Sequence, residues 1–170
     1  MSNQFEAFED LTRYPVDEEK RERMFAEQLE CVVAWSTREG WPVGVTHWFV
    51  WRDGRFWVTV ATVRKRIAAL RARPQSCVVV SSAGTSLGRA QTVTAKTLAT
   101  VHDDAETKAW FFRALADKAY PDDDVYRDFF HAMLHGTDRF VVELEPVQWI
   151  SYDSLKMAAV VRGEDDPEPI

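Results

Sequence analysis

Three consecutive cations, Arg64, Lys65 and Arg66, stand between an apolar run, Trp57-Val-Thr-Val-Ala-Thr-Val63, and the segment Ile67-Ala-Ala-Leu70. The run reads as a strand, and the spacing predicts a helix from about Arg64 to Arg73, stopped by Pro74. Cations in a first helical turn face the positive end of the dipole, at a cost of about 0.3–1 kcal/mol each. An anion held there by backbone N–H groups and side chains together would offset that cost. Hydroxyls lie just upstream at Thr59 and Thr62, so the junction has the parts of a phosphate cradle. The plain alternative is a solvated charged turn. It is not a P-loop, because no Gly-rich turn ends in Gly-Lys-Ser/Thr, and the loop Ala83–Gly88 reads as a hairpin connection.

His131 and His135 stand four apart and share a helical face, as metal-binding pairs do. Residue 132 is alanine where a zincin has glutamate, and no third ligand is evident, so a surface histidine pair is expected and no metal. No Gly-x-Ser-x-Gly elbow and no Cys–His spacing suggests a nucleophile, and no catalytic residue is identified. Chemistry, if any, would be borrowed from a cofactor. His47 could touch such a cofactor or be a satisfied core histidine.

The elements that must position these residues follow from periodicity. Residues 1–16 form an arm without pattern. Asp17 to Glu30 reads as a helix with Met24, Phe25 and Leu29 on one side. Strands are expected at Cys31–Thr37, Val43–Trp51 and Arg55–Ala61, the last two joined by Asp53-Gly54, a tight-turn signal. A fourth strand, Ser76–Ser82, and a fifth, Gln91–His102, follow the basic helix. Asp103 is the expected cap of a helix to Ala119 with Trp110, Phe111 and Leu115 buried. A further helix, opened by three aspartates and ended at Gly136, carries Val125, Phe129 and Met133. Phe140–Glu145 alternates as a sixth strand and continues through Val147–Tyr152. Residues 158–170 read as an acidic tail, disordered from Arg162 with its two prolines. The expected class is mainly β with α, a six-stranded antiparallel Greek-key-type barrel with helices plugging its ends.

The 170 residues suit one domain, placed at 17–157. A net charge of −6 argues against a nucleic-acid binder. No apolar run reaches the ~18 residues of a membrane span. The two cysteines, Cys31 and Cys77, sit in apolar runs, which suits free thiols in a cytoplasmic protein.

Five segments together resemble the pyridoxamine 5′-phosphate oxidase-like family of flavin-binding split β-barrels. They are Leu29–Thr37 with Gly40-Trp41-Pro42, Thr46–Gly54, Arg64-Lys65-Arg66 with Leu70 and Pro74, Thr92–Asp104, and Phe140–Pro146 through Tyr152-Asp153. The third is similar to the family's Ser-Arg-Lys-x-x-x-Leu-x-x-x-Pro helix. The resemblance implies an FMN-dependent oxidoreductase, a homodimer with the ring at the subunit interface, and a small-molecule substrate. It implies that Thr46, His47 and Trp48 border the ring and that Thr59, Val60, Ala61 and Thr62 follow the ribityl chain. Arg64, Lys65 and Arg66 would hold the phosphate, with Gln91 and Trp149 nearby. Val60 replaces a common threonine, Arg64 a serine, Arg66 a lysine and Thr97 a glycine. The deazaflavin coenzyme F-420 is the alternative cofactor, and a non-catalytic flavin- or haem-binding protein is the alternative role.

Overall fold

The computed structural model describes residues 10–164. Its strands are β1 (Glu30–Ser36), β2 (Pro42–Arg52), β3 (Arg55–Ala61), β4 (Gln75–Ser81), β5 (Gln91–His102) and β6 (Arg139–Asp153). They close into an antiparallel barrel in the order β1-β2-β3-β6-β5-β4. The first three form the expected meander, and β6 returns to lie between β3 and β5, which makes the connection Greek-key-like. At the β2–β3 turn, Asp53 and Gly54 both take positive φ angles, 53° and 71°. Those angles match the twist of the flanking strands.

Period-two alternation separates two cores. Phe56, Val58 and Val60 point into the barrel with Val33, Phe49, Val78 and Val142. The opposite side of β2, β3 and β6 is covered by α3 (Ala105–Ala119) and α4 (Asp124–His135). There Phe111, Phe112, Leu115 and Leu134 pack on Val50 and Val141. One end of the barrel is closed by α1 (Glu18–Glu27). Its Phe25 ring lies 4.8 Å from Phe56, 4.9 Å from Trp51 and 6.0 Å from Trp149. At the other end of β2, α2 (Arg66–Ala72) inserts Ile67 and Leu70.

Four expectations need correction. The described end of the arm is packed: Tyr14 and Val16 are buried, and the Tyr14 carbonyl accepts from the Asp153 N–H at 2.8 Å. Residues 1–9 lie outside the described part. The start of the expected tail is a helix, α5 (Ser154–Arg162), capped by Asp153 and ended at Gly163, where φ is 72°. The last six residues again lie outside. On α4, Val125 and Phe129 are 84% and 61% exposed, while Phe130 and Leu134 turn inward. The pocket beside Trp48 and Tyr120 takes Phe130, which rotates the helix one residue from the expected stripe. Finally, Asp104 rather than Asp103 caps α3, accepting from the Thr107 N–H at 2.7 Å, and Asp103 pairs with Lys108.

Candidate functional site

The β2–β3 ladder runs only from Phe49↔Val58 to Arg52↔Arg55. Beyond it β2 stays with β1 while residues 59–61 of β3 stay with β6. The two strands therefore splay, and the loop from Thr62 to Lys65 crosses the open end. That loop is tied down: the Thr62 N–H donates to the Asp138 carbonyl at 3.1 Å and its hydroxyl to the Asp138 carboxylate at 2.9 Å. The Arg64 N–H donates to the Ala61 carbonyl at 3.0 Å.

Four cations gather here. Arg64 precedes the helix, Lys65 is its N-cap without a side-chain capping bond, and Arg66 is its first residue. At seven residues α2 is too short for its dipole to dominate, so the argument for an anion passes from the dipole to the side chains. The fourth, Arg139, was missed by the sequence reading because only the β3–β6 register reveals it. Arg139 stands opposite Ala61, on the same outward face as Thr59. Its Nε donates to the Thr59 hydroxyl at 3.0 Å, and that hydroxyl donates to the Phe140 carbonyl at 3.0 Å. Arg66 turns the other way: Nη1 donates to His47 Nε2 at 2.9 Å, and its guanidinium lies 5.6 Å over the Trp35 ring.

The electrostatics are lopsided. Among the described residues no carboxylate is within ion-pair reach of Arg64, Lys65, Arg66 or Arg139. Burial, and then the Arg64 charge, lower the pKa of both Arg66 and Arg139. Burial, reinforced by Arg66 and Arg139, lowers that of His47 to about 4. His47 is thus neutral and accepts from Arg66, which fixes the guanidinium without cancelling its charge. Partly desolvated cations without partners are costly, and an anion placed among them would relieve that cost.

The other expected site residues are placed as follows. Thr46 is exposed on the outer face of β2, opposite Val32. Trp48 is half-buried, with its ring 5.6 Å from Phe130 and its Nε1 donating to Glu30. Val60 is in the barrel core, so only its backbone faces the splay. Gln91 is buried at the far end of β5, where its amide donates to Asp153 at 3.1 Å. Trp149 belongs to the aromatic cluster under α1, with Arg21 4.6 Å over its ring. Neither joins the cation cluster within the chain. The rings of His131 and His135 are 4.7 Å apart, but no group of three metal-ligating side chains occurs among the described residues.

The family profile for pyridoxamine 5′-phosphate oxidase matches residues 17–149. The chain belongs to that family. No curated protein sequence matches it. Solved structures of low identity share the family's split-barrel fold. A conserved hypothetical protein from Mycobacterium tuberculosis is 17% identical, with TM-score 0.70 and coverage of 85% of this chain and 89% of that one. An F420 reductase is 19% identical, with TM-score 0.58 and coverage of 76% and 94%. The haem storage protein of Vibrio cholerae is 16% identical, with TM-score 0.58 and coverage of 80% and 93%.

Proposed function

We propose that the chain is a cytoplasmic, homodimeric flavin-dependent oxidoreductase that holds the phosphate of FMN at the splay of β2 and β3. The observation that carries this reading is the gathering of Arg64, Lys65, Arg66 and Arg139 without a counter-charge. Arg139 faces the outside of the barrel with Thr59, and guanidinium and ammonium groups are donors suited to phosphate. A bound flavin supplies hydride exchange with a small organic substrate; the chain's part is to hold the phosphate, border the ring with Thr46 and Trp48, and limit water access. The deazaflavin coenzyme F-420 is the alternative, and the likeness to an F420 reductase supports it.

Dimerisation is supported by the one barrel face that no described helix covers, where Val32, Leu98, Val147 and Ile150 are 38–59% exposed. Thr46 opens onto that face, so a second copy seated there would border the same ring. A second reading, a flavin- or haem-binding protein without turnover, is favoured by one detail: His47 is already engaged by Arg66 and is not a free acid or base. Anaerobic addition of NAD(P)H, or of reduced deazaflavin, to FMN-loaded protein separates the two. Bleaching of the flavin band with turnover supports the oxidoreductase; a loaded but unreactive band supports the binding role.

A further inference from the structure

A second concave site lies beside the first and shares Lys65 and Arg66 with it, while its other lining residues are its own. It is a groove of about 540 Å³ between the β1–β2 turn and α2. Trp35, Val43, Ala69 and Ala72 form its apolar wall, and Arg38, Lys65, Arg66 and Arg73 its rim. Glu39 is the one carboxylate among the lining residues, so the surplus is three positive charges. None of the four cations is ion-paired among the described residues. Arg64 and Arg139, the latter bonded to Thr59, do not line it.

Two of the rim groups are pre-positioned. Arg73 is anchored by Nε donating to the Ser36 carbonyl at 3.2 Å. Arg66 is held by the neutral His47 and the Trp35 ring, leaving its remaining donors toward the groove. A fixed guanidinium loses less entropy on binding an oxyanion than a free one. The apolar wall excludes a bare inorganic anion as the best occupant, because such an ion would leave Trp35, Val43 and the alanines facing solvent. The volume falls within the range of small-molecule sites.

We infer that this groove binds a small carboxylic acid with an apolar body, the carboxylate on Arg66 and Arg38 and the body against Trp35 and α2. Such a ligand would be a substrate or a regulator entering beside the phosphate site rather than part of the cofactor.

Calorimetric titration of the full-length protein with naphthoate, and with the uncharged naphthamide, tests this. Naphthoate is expected to bind once per chain with a Kd near or below about 1 mM, and naphthamide at least about tenfold more weakly. Ala72→Phe, which fills the groove, and Arg38→Glu, which inverts a rim charge, should each weaken naphthoate by about tenfold or more with unchanged melting temperature. FMN titration of both variants should match the parent, so that failure of the flavin reading and failure of this one are told apart. Equal binding of naphthoate and naphthamide, or undiminished naphthoate binding in Ala72→Phe, would overturn the assignment. A parallel loss of FMN affinity in Ala72→Phe would overturn the separateness of the two sites.

Discussion

Replacing Arg139 by glutamine tests whether the cation cluster exists for a ligand or for the fold. Arg139 makes one side-chain bond, to the Thr59 hydroxyl, and shares its surroundings with the Arg64 charge. Glutamine can keep a bond to Thr59 while removing a charge that Arg64 opposes. Stability is therefore expected to stay within about 1 kcal/mol of the parent or to rise. The ligand side differs. A guanidinium-to-phosphate bond contributes about 1.5–3 kcal/mol, so FMN should bind about 10- to 150-fold more weakly. Quenching of FMN fluorescence gives the affinity and urea denaturation the stability. Unchanged affinity, or a fall in stability of about 3 kcal/mol with affinity kept, would refute the reasoning by making Arg139 a structural residue.

Three further outcomes follow from the same geometry. The folded-state pKa of His47, about 4, lies below the ordinary 6.5, so the unfolded chain takes up the extra proton first as pH falls. Its contribution is complete above pH 6.5 and is lost progressively down to pH 4. Between pH 7 and pH 5 the parent should lose about 2 kcal/mol more than His47→Gln, measured by urea midpoints; parallel loss in the two proteins would contradict this. Phe25→Ala empties a fully buried ring site among Phe49, Trp51, Phe56 and Trp149. It should cost about 3–5 kcal/mol in denaturant unfolding, and a cost under about 1 kcal/mol would deny that α1 seals the barrel. Ile150→Glu places a charge on the uncovered face of β6, and sedimentation should show a shift from dimer toward monomer; a dimer as tight as the parent would move the interface elsewhere.

Much of the fold was legible because local rules agreed with it. Strict alternation marked the strands, and Asp53-Gly54 and Pro74 marked where elements stop. What failed depended on tertiary choice. The doublet Phe129-Phe130 offers two helical stripes, and the Trp48–Tyr120 pocket, which no local pattern reveals, selects the second. The helix after Asp153 carries an ordinary cap signal, but the boundary expected between residues 157 and 158 cuts through it. At the site, Arg64, Lys65 and Arg66 were conspicuous as a run. Arg139 was not, since it stands 73 positions after Arg66 and only the β3–β6 register brings it to Thr59. Gln91 and Trp149 came from a resemblance along the chain, and the barrel places them at its far end, among Asp153 and the α1 aromatics.

The central claim is that the unpaired cations are there for a phosphate. Side-by-side equilibrium titration of the protein with FMN, coenzyme F-420 and riboflavin tests it most directly, because riboflavin lacks only the phosphate of FMN. At least one of the two phosphorylated cofactors is expected to bind about 100-fold or more tightly than riboflavin, with inorganic phosphate competing. Riboflavin binding as tightly as FMN, or no binding of either phosphorylated cofactor, would contradict the account.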